Sequence, residues 1–528
     1  MAGLLLTVAC GAEEPEAPTE TGNGGAGGET PGGAAGAPII AGALGALDET
    51  DLPEPERRTG FVEVPPYSYS WQYSSEARET SATRLFYDFI PARTNAKDRP
   101  VFLLMNGGPG STSMFLHSFG TGPFALTESD FSAPLVENDS SWNDLGSLLY
   151  VDARLTGFSY SLSDDPRDPD ERLRAFDGQS LNTAVEAADT IRVLLSVLAE
   201  QPALQNNPVV LVGESAAGYR APLMLELLLD PPRADGEARW FDDPSLTEEL
   251  QRHFAFVFPE VPFSALSPER RARQFGWQVL IQPAAMAPWQ QKQPNPVLAH
   301  LSGCVHHTER SEEWCAAQSS ALVRTMLSPA QFETMFGISP TNVPGLPAAE
   351  RVGAIGCPTA AACGLAGDDI VLAPPSSWLE AMGEIADHDR YFTTLRSYQY
   401  DDSVASDPDR VPFLRVLPYT QVLITNAQLD AAIFSPAIVG AIRAYGAAQP
   451  TPWVEAADYV GPDPDEVSEA FEVRFADDAV RGAGSTRRVY LPRYTDSGHM
   501  VALTEPAKLH DDVQQFLVDT GALQSADP

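Results

Sequence analysis

Lysine is almost absent. The 528 residues hold three, Lys97, Lys292 and Lys508, and every other base is arginine. Lys and Arg together number 34 against 72 Asp and Glu, a formal net charge of −38. A surface of that sign repels a polyanion, which excludes nucleic acid as a partner. Cysteine is scarce as well. The five present are an odd number, so at least one does something other than pair within the chain. No apolar run reaches the roughly 18 residues that a membrane-spanning helix needs, and no internal repeat is visible. What is present is a composition of 43% hydrophobic and 20% charged residues, which is globular. The length admits one large α/β domain carrying insertions.

Residues 1–10 read MAGLLLTVAC, an apolar run from Leu4 to Ala9 followed by Cys10. This is similar to the end of a bacterial lipoprotein signal, in which that cysteine carries the lipid. The basic residues usual ahead of such a run are missing. Residues 11–58 are mostly Gly, Ala, Pro, Glu and Thr, with ten acids and two arginines, a net of −8. That composition cannot bury a core and reads as a flexible acidic tether. Lipid and tether together predict an extracytoplasmic protein, attached to a bacterial membrane through Cys10 or released from it.

From residue 59 the pattern alternates between strand and helix. LFYDFI (Leu85–Ile90), VFLLM (Val101–Met105), LLYV (Leu148–Val151), VVLV (Val209–Val212) and QVLIT (Gln421–Thr425) read as buried strands. Ser180 to Ala199 reads as a helix. A second amphipathic helix is expected over Pro506–Thr520, with proline in its first turn and Gly521 as its C-terminal cap. Such alternation implies a mostly parallel sheet covered on both faces. Residues 230–412 break the rhythm, being rich in Pro, Trp and Arg. They are read as a large, mainly helical cap inserted between two parts of the core, 59–229 and 413–528.

Four segments carry chemistry. VVLVGESAAG (Val209–Gly218) places Ser215 on a sharp turn between a buried strand and a helix, the geometry that exposes a nucleophilic hydroxyl. NGGPGSTS (Asn106–Ser113) follows the strand VFLLM, where a glycine-rich loop lets backbone N–H groups reach a substrate oxygen. An oxyanion hole takes one such donor plus the N–H of the residue after the nucleophile, here Gly108 and Ala216. Asp430 stands just beyond the strand QVLIT, and His499 lies shortly before the last helix. Serine, aspartate and histidine then occur in the chain order of the α/β-hydrolases. The hydroxyl needs a base, and the imidazole needs a carboxylate to hold its tautomer. His117, soon after the glycine-rich loop, is either a pocket-lining or a packing residue.

NGGPGSTS, SWN (Ser141–Asn143), TGFSYS (Thr156–Ser161), GESAAGY (Gly213–Tyr219), VLITNAQLD and GHMVALTEP resemble the successive motifs of the serine carboxypeptidase family. The resemblance implies an α/β-hydrolase fold, a Ser215–Asp430–His499 triad and no cofactor or metal. It also implies peptide substrates, whose free C-terminal carboxylate would be recognised by Asn106, Gly107 and Glu214. The chain departs from the pattern in places. Ser111 and Ala216 replace the usual cysteine and tyrosine. Gly120 stands where many members carry a glutamate paired with the one before the serine. The stretch DARLTG (Asp152–Gly157) is one residue short and lacks its proline. The missing acid keeps an esterase, an acyltransferase or another peptidase open as alternatives, with a non-catalytic surface lipoprotein as a third reading.

Four cysteines, Cys304, Cys315, Cys357 and Cys363, fall in the expected cap. In an exported protein they suggest two disulfides. Three pairings are open, and Cys304–Cys315 with Cys357–Cys363 is preferred on proximity alone. His306 and His307 adjoin Cys304, but their spacing fits no common zinc module.

Overall fold

The computed structural model describes residues 52–72, 74, 76–107, 110–125, 135–162, 180–232, 239–285, 411–427 and, with gaps, 433–524. Eight strands build the centre of its main sheet. They are β1 (Arg58–Val64), β2 (Thr83–Ile90), β3 (Val101–Met105), β4 (Ser147–Val151), β5 (Val209–Glu214), β6 (Trp277–Ile281), β7 (Gln421–Ile424) and β8 (Thr486–Leu491). In space they run β1-β2-β4-β3-β5-β6-β7-β8. β2 is antiparallel to both β1 and β4, and every pair from β4 to β8 is parallel. This is the α/β-hydrolase arrangement, with β5 in the middle. Strands Glu469–Arg474 and Val454–Glu455 extend the sheet beyond β8, antiparallel.

Parallel strands are joined by crossovers, so both sheet faces are covered and the strands read as unbroken apolar runs. Each side chain of Val101–Met105 is at most 1% exposed, and each contributes about 1.5–3 kcal/mol by leaving water. Alternation along the strands divides them between two cores. Val101, Leu103 and Met105 face one core with Val209 and Leu211. Phe102 and Leu104 face the other with Val210 and Val212. Helices α1 (Thr183–Glu200) and α2 (Ala217–Leu229) cover the first face, joined by α3 (Pro244–Val257) and α4 (Pro268–Phe275). Helix α5 (Pro506–Thr520) covers the second through Leu509, Val513, Phe516 and Leu517.

The helix ends follow their capping residues. The Asn182 side chain accepts the Val185 N–H at the start of α1, Asp243 caps α3 ahead of Pro244, and Ser267 caps α4 ahead of Pro268. Gly521 ends α5 at φ 79, in the left-handed region that spares glycine a steric cost. Among the described residues no helix is long and apolar enough to cross a membrane.

One expected boundary is displaced. The reading of 230–412 as an insertion hid a central strand, because β6, WQVLI, hydrogen-bonds between β5 and β7. The run is only five residues long and lies in a stretch rich in Arg, Pro and Trp, so local composition masked it. The core therefore continues through residue 281, and α3 and α4 pack on its first face. Residues 286–410, holding the rest of the expected cap and all four of its cysteines, lie outside the described residues, as do Cys10 and residues 11–51 of the expected tether. The last residues of that tether belong to the body instead: the Leu52 carbonyl accepts from Lys97, the Glu56 N–H donates to Gln201 Oε1, Arg57 pairs with Asp88, and Arg58 opens β1.

Candidate active site

β5 ends at Glu214 and α2 begins at Ala217, so two residues turn the chain. Ser215 takes a φ of 53, a left-handed conformation that costs a non-glycine residue about 1–2 kcal/mol. Three hydrogen bonds hold it there. Its N–H donates to the Ile281 carbonyl, and its own carbonyl accepts from the N–H groups of Gly218 and Ala284, each at 2.9 Å. Such over-determination is how strain persists at a working position. Ser215 and Ala216 remain half-buried between enclosed neighbours, Glu214 and Ala217, leaving the turn itself accessible. The Ala216 N–H stands ahead of the hydrogen-bond ladder of α2, where helix donors lack intrahelical acceptors.

The loop after β3 lies directly against this turn. A Cβ on Gly107 would stand 2.6 Å from the Ser215 Cβ and 2.7 Å from the Glu214 carbonyl, so only glycine fits. The Gly107 N–H donates to Glu214 Oε2 at 3.2 Å. Asn106 is buried, and neither Oδ1 nor Nδ2 of its side chain has a hydrogen-bond partner among the described residues. Gly108, the expected oxyanion donor, lies outside the described residues.

His499 comes from the turn between strand Arg493–Tyr494 and the short helix Val501–Thr504. It is buried, with Nε2 at 3.2 Å from Glu214 Oε1. The structure thus gathers Asn106, Gly107, Glu214, Ser215, Ala216 and His499 at the C-terminal ends of β3 and β5. Asp430 lies outside the described residues. The chain leading to it is anchored, however, because Gln282 Oε1 accepts the Ala427 N–H at 2.9 Å and the Thr425 hydroxyl at 3.1 Å. That amide ties the end of β6, beside Ser215, to the segment after β7.

Gly120, where the sequence pattern lacks an acid, has a φ of 120. A Cβ there would stand 2.4 Å from the Ala502 carbonyl and 2.8 Å from the Pro506 Cβ. The backbone at this position is packed against the C-terminal helices and has no room for a glutamate. Glu214 lies instead between the Gly107 amide and the His499 ring.

Asp152, at the end of β4, was not singled out by sequence reasoning. Its carboxylate is buried and accepts the N–H groups of Ser113 at 2.7 Å and Phe158 at 3.0 Å, plus the Thr112 hydroxyl at 2.8 Å. Burial pushes its pKa up to about 6, against the pull of these donors and of Arg220. The next basic residue, Arg154, turns inward to Asp189 of α1 at 2.5 Å, and Leu155 sits at φ 51. The shortened DARLTG stretch is therefore pinned at both its acid and its arginine. His117 is fully enclosed, its ring centroid 5.3 Å from that of Tyr150. Neither of its nitrogens has a partner among the described residues, and burial lowers its pKa to about 3.

Comparison with known proteins finds similarity over part of the chain. Residues 57–237 match the family model for serine carboxypeptidases. Serine carboxypeptidase-like 35 of Arabidopsis thaliana is 30% identical over 179 residues, which are 33% of this chain and 34% of that protein. Probable serine carboxypeptidase CPVL of Homo sapiens is 32% identical over 158 residues, 29% of this chain and 30% of its own length. The matched region thus spans about a third of these curated relatives. Among solved structures, the Saccharomyces cerevisiae prohormone-processing carboxypeptidase Kex1Δp aligns over 89% of this chain and 94% of its own, with 15% identity and a TM-score of 0.47. Residues 57–237, which hold the strained serine, the start of the glycine-rich loop against it and the preceding glutamate, are thus similar to the serine carboxypeptidase family.

Proposed function

We propose that this protein is a serine hydrolase that removes C-terminal residues from peptides. The observation that carries the reading is the close approach of Gly107 to the strained Ser215 turn, with His499 against the Glu214 side chain that leads into it. Ser215 attacks the scissile carbonyl. His499 takes the hydroxyl proton and returns it to the leaving amine, and Asp430 orients the ring. The N–H groups of Gly108 and Ala216 stabilise the oxyanion, and water then hydrolyses the acyl-enzyme. The amide of Asn106 and a protonated Glu214 carboxyl can each donate a hydrogen bond to a terminal carboxylate. Nε2 stands at Glu214, so general-base action on Ser215 requires the ring to turn to the hydroxyl as substrate binds.

Fluorophosphonate labelling of Ser215 tests the nucleophile. A blocked dipeptide and its C-terminal amide, compared at equal concentration, test the specificity. The free acid should be cleaved at least about 10-fold faster, and equal rates would discard the carboxypeptidase assignment. The packing around Gly120 supports one competing reading. Without a second acid beside Glu214, the site would act on esters or blocked peptides as readily as on free acids.

The same proposal includes export, lipid attachment at Cys10 through a tether of residues 11–51, a cap within 286–410 and two disulfides among Cys304, Cys315, Cys357 and Cys363. Mass spectrometry of the protein isolated from membranes checks the first two, and non-reducing peptide mapping checks the last.

A further inference from the structure

The carboxylate of Asp152 takes no part in the chemistry just described, yet it is among the most completely hydrogen-bonded groups near the site. Its position follows from topology. β4 runs parallel to β3 as its direct neighbour, so the end of β4 lies beside the root of the glycine-rich loop that leaves β3. There Asp152 accepts the backbone N–H of Ser113 at 2.7 Å and the hydroxyl of Thr112 at 2.8 Å, both at the far end of that loop. The Ser113 hydroxyl donates to the Val151 carbonyl at 2.5 Å and accepts the Asn106 N–H at 3.3 Å, closing the loop on its own beginning. Within the loop the Ser111 N–H reaches the Gly107 carbonyl at 3.1 Å.

From its other side the carboxylate accepts the Phe158 N–H at 3.0 Å. A Cβ on Gly157, at φ 57, would stand 2.0 Å from Asp152 Oδ2, so glycine is what lets this chain close on the acid. Two N–H groups and one O–H thus converge on two oxygens. An amide in this place would have to turn its own N–H₂ toward at least one of those donors. A buried carboxylate carries a heavy desolvation cost, which three charge-assisted hydrogen bonds offset. The loop is therefore held twice, at Gly107 by Glu214 and at Thr112 and Ser113 by Asp152.

We propose that Asp152 is a positioning residue, whose carboxylate sets the glycine-rich loop at the distance from Ser215 that oxyanion stabilisation requires. The inference rests on the serine-hydrolase reading. Its effect belongs to the transition state, because a loop displaced by a fraction of an ångström still admits substrate but no longer meets the oxyanion.

The test is steady-state kinetics of wild type, Asp152→Asn and Thr112→Val on a blocked peptide, with fluorophosphonate labelling rates and thermal melts alongside. Asp152→Asn should lower kcat about 10- to 100-fold with KM changed less than about 3-fold. Its labelling rate should slow by a similar factor. Thr112→Val removes one donor of the three and should show a smaller loss of the same kind, so the proposal stays exposed should Asp152→Asn not fold. Folded variants with wild-type kcat, or losses expressed through KM alone, would overturn it. Wild type that neither labels nor hydrolyses would remove the hydrolase reading, and the inference with it.

Discussion

His499 Nε2 and Glu214 Oε1 lie 3.2 Å apart, while the other oxygen of Glu214 accepts the Gly107 N–H. One carboxylate therefore bridges the loop after β3 and the turn that carries the histidine. Removing it should affect binding of a substrate carboxylate more than the acyl chemistry. Glu214→Ala is expected to lower kcat/KM on peptides with a free C-terminus about 10-fold more than on the matching esters. Glu214→Gln supplies an N–H₂ donor where the protonated acid would offer an O–H, and should recover part of that difference. Steady-state kinetics on paired substrates gives the comparison, and equal losses on both would show that Glu214 does not read the carboxylate.

Ser215 at φ 53 makes a separate prediction about stability. Ser215→Ala and Ser215→Gly should both lose at least about 10⁴-fold in kcat. They should differ in urea denaturation. Glycine relieves the left-handed backbone and alanine does not, so the glycine variant is expected to be more stable by about 1 kcal/mol. An alanine variant as stable as the glycine one would show that the turn is unstrained.

His117 predicts a pH dependence of folding. Burial, followed by repulsion from Arg57, holds its pKa at about 3 against an ordinary 6.5. The unfolded chain takes up this proton near pH 6.5, and the folded chain only near pH 3. Stability is therefore complete above 6.5 and falls as pH drops between the two values. From pH 7 to pH 5 this single ring accounts for about 2 kcal/mol. Asp152, raised to about 6, acts with the opposite sign, its cost appearing as pH rises from about 4. His117→Leu should shrink the loss of stability between pH 7 and pH 5 by about 2 kcal/mol in denaturant titrations. An unchanged pH dependence would mean that the ring is protonated or hydrated in the folded protein.

The parts of the site legible in the sequence are those set by local chain geometry. A buried strand, a small-residue turn and a helix announce Ser215 wherever they occur, and glycine beside a strand end announces Gly107. α5 was legible to the residue because Pro506 and Gly521 mark its ends. Asp152 and Gln282 were not, since each acts through strands adjacent in the sheet and distant along the chain. Their side chains look like ordinary loop polar groups until β4 lies beside β3, or β6 beside β7. β6 was missed for the related reason that a five-residue run has too little pattern to stand out among prolines and arginines. Gly120 was read as a missing acid, and the reason for its being glycine lies in the approach of Ala502 and Pro506 from the far end of the chain.

The position of β6 also limits how this protein can be re-engineered. Exchanging the cap by cutting at residue 230 would delete a middle strand and take with it the Ile281 and Ala284 groups that clamp the Ser215 backbone. A graft that spares the nucleophile must leave the native chain after Ala285. Ala284 is bonded directly to Ser215, so the first residues of any replacement would join the chain one residue beyond that clamp. Any segment grafted in place of residues 286–410 would thus begin two residues from the Ala284 clamp on Ser215, and how it leaves that short stretch would bear directly on the serine.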